Sequence, residues 1–297
     1  MYTEMDTNKA AGSTIENLHL GQKQATGGRA VPGVIALAQC HAQATLLDLE
    51  TLIIRGLNLR WQSIRCLGSA GRRKNPQDTS GDIDLAIHIE SIGKDRDSAL
   101  DRLEKFAKDG HYVYQRMDGI GIVSIAFPIS GQPGKFVQAD LMAVESLKWV
   151  SWAMYSPDYR KDESIYKGGH RNWLIAAICN EVKQDVKLKD GKEVGWTSMV
   201  FVWHDCAKWV TKSIVGIRSE FLKHPKKVSE EMYTRNPDVF VNFLFGEKYV
   251  PSDLLTYEDV RDALDDERFS GSKRRILDNF IKFVVKADLP VPDDAKQ

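Results

Sequence analysis

The chain has 297 residues, 42% hydrophobic and 28% charged, with 41 basic residues balanced by 41 acidic ones. That length can bury a substantial core as one large domain or two of ordinary size. The even charge excludes a global attraction to nucleic acid or anionic membrane, so any basic binding surface must be local. No apolar run is long enough to span a bilayer and no signal-peptide core is visible, so the expected setting is cytoplasmic. Cys40, Cys66, Cys179 and Cys206 lie far apart without zinc-ligand spacing, which predicts reduced thiols.

Residues 1–33 are polar and spotted with glycine, and they read as an N-terminal arm. From Val34 to Leu57 the pattern is helical, with Leu46, Leu49, Ile53 and Leu57 at three- and four-residue spacing and Gly56 near the end. A short strand at Ser63–Leu67 then runs into Gly68-Ser69. After a polar loop a second strand, from about Asp82 to Ile89, begins with two acids that flank Ile83. A helix is predicted over Ser98–Lys108, with Asp97 as N-cap and Gly110 as its stop. Strands are expected at His111–Met117, Ile120–Phe127 and Lys135–Val144. The last two form an antiparallel hairpin through the turn-rich Pro128–Gly134. Residues 60–145 therefore read as one mixed sheet with a helix on a face.

Beyond Glu145 the chain becomes aromatic and apolar. Residues 171–182 are strongly helical, Met199–Val215 is a second apolar stretch, and helices fit Tyr257–Leu264 and Ser272–Lys286. The expected class is α+β: a catalytic domain at 34–145, followed by a mainly helical domain at 146–297.

In a strand, residues two apart face the same way, so Asp82 and Asp84 project side by side. Such a pair repels itself unless a cation lies between the oxygens, and hard divalent ions take oxygen ligands of this kind. Asp140, between apolar neighbours in a later strand, would be costly if buried alone. It is accommodated if its strand lies beside the first pair and all three carboxylates converge on metal. Two ions held in this way can clamp an in-line displacement at phosphorus. Gly68 lets backbone approach closely, and Ser69 with the following N–H groups can bind phosphate oxygens.

Apolar-Gly-Ser, twelve intervening residues (70–81), Asp-Ile-Asp-Leu and a later strand Asp together resemble the nucleotidyltransferase superfamily related to DNA polymerase beta. The resemblance covers about residues 60–145. It implies a mixed nucleotidyltransferase-type sheet with flanking helices. It also implies transfer of a nucleoside monophosphate from an NTP to an acceptor, dependent on Mg2+ or Mn2+, with pyrophosphate released. By position, Gly68 and Ser69 would hold the triphosphate, Asp82 and Asp84 would bind two metal ions, and Asp140 would complete the site and help activate the acceptor hydroxyl. The acceptor class, whether RNA or tRNA, protein or a small molecule, stays open.

Arg72, Arg73 and Lys74 follow the Gly-Ser, and read either as phosphate ligands or as a solvated basic loop. Lys167 and Arg171, with His170, flank Gly168-Gly169 at a helix start that would suit phosphate; ordinary exposed residues fit the same pattern. Lys208, Lys212, Arg218, Lys223, Lys226 and Lys227 could track an RNA backbone, although a solvated face explains them better. The tryptophans after Glu145 read mostly as core, and His204-Asp205-Cys206 as structural. Two competing functions are an Asp-x-Asp glycosyltransferase using a nucleotide-sugar, and a non-catalytic nucleotide- or nucleic-acid-binding protein on the same scaffold.

Overall fold

A computed structural model describes residues 30–187, 194–213 and 226–296. Most of the expected arm, residues 1–29, lies outside the described residues, as do Arg218 and Lys223. The class is α+β, as expected, and the first part is built on a five-stranded mixed sheet.

Residues 30–36 lead into a two-residue strand β1 (Leu37–Ala38) and helix α1 (Gln39–Gly56). Strand β2 (Ile64–Leu67) ends at the Gly-Ser loop, β3 (Thr79–Ser80) pairs with β1, and β4 (Asp82–His88) carries the two acids. Helices α2 (Ile89–Ile92) and α3 (Arg96–Asp109) follow, then β5 (Tyr114–Met117), β6 (Ile122–Pro128) and β7 (Phe136–Val144). The expected hairpin is the antiparallel β6–β7 pair. The N-cap of α3 is Asp95 rather than Asp97, because Asp95 accepts from the backbone N–H of Ser98 while Ser98 answers with its hydroxyl.

The strand order is β2-β4-β7-β6-β5, and only β4–β7 runs parallel. Alternation along the strands separates the two faces. Ile83, Leu85 and Ile87 of β4, Val123 and Ile125 of β6, and Val137, Ala139 and Leu141 of β7 pack with Leu49 and Ile53 of α1 and Leu100 and Leu103 of α3. The opposite face presents Asp82, Asp84, Gln138, Asp140 and Ser124, then turns apolar at Ala86, Met142 and Ile122. Those apolar residues join a second core with Trp149, Trp152, Leu174, Phe201 and Phe240. The sheet thus has one apolar face, and one face divided between a polar row and the second core.

The second part contains α4 (Leu147–Ala153), α5 (Gly168–Glu181), α6 (Pro237–Phe245), α7 (Tyr257–Ala263) and α8 (Lys273–Lys286). It also contains a four-stranded antiparallel sheet that the sequence reading did not anticipate: β8 (Lys183–Lys187), β9 (Val194–Val202), β10 (Cys206–Ser213) and β11 (Lys226–Thr234), in the order β11-β10-β9-β8. The apolar stretch that begins at Met199 is the β9–β10 hairpin, turned at Trp203–Asp205. Asp205 in that turn pairs with Arg235 at 3.2 Å and with Arg96 of α3 at 3.6 Å, which ties the two parts together. Burial pushes the neighbouring His204 imidazole down to about 4. Trp149, Trp152 and Trp173 are buried as expected, and all four cysteines are free, although Cys40 is exposed. Among the described residues, no helix is long and apolar enough to cross a membrane.

Candidate active site

The acids meet through strand register. Asp84 lies directly opposite Asp140 across the parallel β4–β7 pair, and Asp140 lies opposite Ser124 across β6–β7. Leu67 stands opposite Asp84 on the other side, so a single row of residues crosses four strands. Asp82 is one step along the same face, opposite Gln138.

Asp140 is almost fully enclosed, at 2% exposure. Its Oδ1 accepts from the Ser124 hydroxyl at 2.6 Å and from the Gln138 amide at 2.9 Å. These bonds favour the ionised carboxylate, yet burial, aided by the Asp82 charge, outweighs them and pushes Asp140 up to about 6. Burial together with the charges of Asp82 and Asp140 drives Asp84 up as well. Ser124 and Gln138 escaped the sequence reading, although each occupies a strand position of the same facing parity as Asp140. Gln138 also reaches the leading segment, its Oε1 accepting from Ala30 N at 2.9 Å and Val31 N at 3.3 Å.

The Gly-Ser loop closes over Asp84. Gly68 has φ +70°, and a Cβ added there would stand 2.5 Å from Asp84 Oδ2. Glycine is therefore required both for the left-handed backbone and for close approach to the carboxylate. Ser69 Oγ is 3.1 Å from Ser80 Oγ and accepts from Arg73 Nη2 at 3.1 Å. The first N–H groups of α1 are already occupied: Gln39 N donates to Asp78 O at 2.8 Å and Cys40 N to Pro76 O at 3.0 Å. That helix end holds the loop.

The basic residues of the loop reach toward the segment after α4. Arg72 donates to Ser156 O, and its guanidinium lies 5.2 Å from the Tyr155 ring centroid. The Arg73 guanidinium lies 5.0 Å from the Tyr159 centroid, and Lys74 pairs with Asp162 at 2.7 Å on the surface. Tyr155 and Tyr159 carried no sequence signal, because two tyrosines in a loop fit many roles.

Lys167 and Arg171 part company with the acids. Lys167 is exposed at the N-cap of α5, and among the described residues no hydrogen bond or ion pair joins it to the Gly-Ser loop. The expectation that Arg171 meets a nucleotide is corrected, because its side chain is wholly buried in the second core. Its Nε donates to Leu254 O at 2.6 Å, its Nη1 to Asn172 Oδ1 at 3.0 Å, and its guanidinium lies 4.4 Å from the Trp152 centroid. Burial lowers its pKa to about 9. The cause is that α5 is apolar on nearly every side, so its first turn is drawn inward with the rest. Of the basic residues, Lys208 pairs with Glu230 at 2.6 Å, as does Lys227 at 2.7 Å, so both belong to a neutralised sheet surface.

Among the described residues, no group of three or more His, Cys, Asp or Glu side chains stands in an arrangement that could hold a metal ion. The three carboxylates are neighbours in register rather than a preassembled cage. Their chemistry still fits a hard divalent cation. The donors are all oxygen, they repel one another, and two of them are pushed toward neutrality by burial and by mutual charge. No protein-family model matches the chain, and no curated protein matches it.

Proposed function

We propose that the chain transfers a nucleoside monophosphate from an NTP to an acceptor hydroxyl, with release of pyrophosphate. The observation that carries this reading is the Asp84–Asp140 register pair, with Gly68 pressed against Asp84 at a positive φ. A partly buried carboxylate row beside a tight Gly-Ser turn is an arrangement suited to cation and phosphate together.

Asp82, Asp84 and Asp140 would hold Mg2+ or Mn2+. When bound, such ions supply charge neutralisation at the phosphates and lower the pKa of an attacking hydroxyl. The residues of the chain do the rest. Ser124 and Gln138 both donate to Asp140 Oδ1 and so orient its carboxylate. Asp140 would take up the proton of an acceptor hydroxyl. Ser69 offers a hydroxyl to an anionic oxygen, and Gly68, having no Cβ, leaves room for the Asp84 carboxylate. RNA, tRNA, protein and small hydroxyl compounds all remain acceptors to be distinguished by assay.

The test is transfer from α-labelled NTPs, with Mg2+ or Mn2+, to RNA, tRNA, protein and small-molecule acceptors. Folded Asp82→Ala and Asp140→Ala variants are expected to lose transfer by at least about 10³-fold, as for loss of a principal electrostatic element. A folded wild type that transfers no label and binds no metal–NTP would falsify the reading. Release of sugar from nucleotide-sugars would replace it with the glycosyltransferase alternative.

A further inference from the structure

Arg73 is the basic residue closest in bonding to the Gly-Ser turn, yet it meets that turn through Ser69. Arginine has only donors, so Ser69 Oγ must be the acceptor in the 3.1 Å bond from Arg73 Nη2. The serine hydrogen is then left to point elsewhere, toward Ser80 Oγ at 3.1 Å or toward an incoming oxygen. Ser80 is buried, at 3% exposure, and can turn its own hydrogen onto Ser69 when an anion takes the first one. A hydroxyl that accepts from a cation becomes a better donor to an anion.

The guanidinium is packed against a ring: its Cζ lies 5.0 Å from the Tyr159 centroid, while the Arg73 backbone N donates to Gln39 Oε1 at 3.2 Å. Its Nε is buried without a partner. The Tyr159 hydroxyl donates to Tyr166 O at 3.3 Å, which fixes the ring at its far end. A chain of contacts therefore runs from Tyr166 through Tyr159 and Arg73 to Ser69, and it joins the second part of the molecule to the turn beside the acids.

We propose that Arg73 and Tyr159 are positioning residues, Tyr159 holding the Arg73 guanidinium so that it fixes the Ser69 hydroxyl as a donor to an anionic phosphate oxygen. The proposal rests on the nucleotidyl-transfer reading and assigns Arg73 a role at one remove from the phosphate.

The test is a double-mutant cycle read by calorimetric binding. The probes are the α,β-methylene analogues of ATP, GTP, CTP and UTP with Mg2+, and the tightest is carried forward. Arg73→Gln and Tyr159→Leu are each expected to weaken binding about tenfold, and Tyr159→Phe less than about twofold, since the ring remains. In a Ser69→Ala background, Arg73→Gln and Tyr159→Leu should each cost less than about twofold more, because their effect passes through the missing hydroxyl. A further full tenfold loss from Arg73→Gln in that background overturns the proposal and makes Arg73 a direct ligand. Unchanged affinity in Arg73→Gln, with wild type binding normally, overturns it and leaves the nucleotidyl reading standing. A wild type that binds none of the four analogues removes both. If Tyr159→Leu does not fold, the Ser69/Arg73 cycle decides alone.

Discussion

Asp84 and Asp140 face each other across the only parallel strand pair of the main sheet, and each is pushed toward its neutral form by burial and by neighbouring carboxylates. A folded chain without metal therefore holds its acids in a disfavoured state at neutral pH. The first prediction follows from that.

Asp140 is raised from 3.8 to about 6, so between these values the folded chain binds more protons than the unfolded one. The Asp140 contribution to metal-free stability should then fall as pH rises through that window, by on the order of 3 kcal/mol. Asp84, raised in the same direction, adds to the fall. Buried His204, held at about 4, drives stability the opposite way over the same range. The Asp140 contribution is therefore read as the difference in Tm between wild type and Asp140→Asn in a chelating buffer, expected to be larger at pH 7.5 than at pH 5. Asp140→Asn should raise the metal-free Tm at pH 7.5, and Mg2+ should raise the wild-type Tm there more than at pH 5. An Asp140→Asn gain in Tm that is no larger at pH 7.5 than at pH 5 would contradict the assignment.

Gly68→Ala should be damaging twice over. The positive φ costs about 1 kcal/mol for a residue with a side chain, and the new methyl would displace the Asp84 carboxylate. A Tm drop of several degrees and loss of metal–NTP binding are expected. Gly134→Ala, also at positive φ but with nothing within 4 Å of the added methyl, should lower Tm less and leave binding intact.

Arg171→Met should lower stability by about 2–4 kcal/mol, because Leu254 O loses its buried donor and the Trp152 face loses its cation. Lys167→Ala, at an exposed cap, should change stability by less than about 0.5 kcal/mol. Chemical denaturation of the two variants compares them directly. Equal, small effects would mean that Arg171 is not the core residue its burial implies.

Asp205→Ala removes the carboxylate shared by Arg96 and Arg235 and leaves two cations with less to separate them. A loss of about 1–3 kcal/mol is expected, with faster amide exchange in the β9–β10 turn and the first turn of α3. Exchange confined to the β9–β10 turn alone would show that this ion pair does not join the two parts.

The main sheet was largely legible because its strands alternate cleanly. Ile83, Leu85 and Ile87 face the helices, and that periodicity leaves Asp82 and Asp84 on the other face. Asp140 was included because an acid among apolar strand neighbours needs a partner, but the parallel β4–β7 pairing and the register that sets Asp84 opposite it depend on long-range contacts that no local pattern encodes. Gln138 and Ser124 went unnoticed because a neutral polar side chain in a strand signals nothing until its partner is known. The second sheet was missed because Met199–Val202 and Trp209–Val210 are apolar and aromatic without a decisive period, and short runs of that kind suit strand or helix alike. Arg171 was misread as surface because a basic residue beside two glycines looks like a helix start open to solvent. The stronger signal lay just after it, in the unbroken apolar run Trp173–Cys179, which leaves the helix no wet side for its first turn.

The parallel β4–β7 pair also governs when the acids can meet. Parallel neighbours need a long crossover, and here α2, α3 and the β5–β6 pair must be made before β7 exists. A growing chain that has produced Asp82 and Asp84 still lacks their partner strand, so Asp84 has neither the burial nor the Asp140 charge that raise its pKa in the folded chain, and only Asp82 to repel it. The acid row is completed only by the strand that carries Asp140, and a nascent chain that ends before Phe136 lacks it.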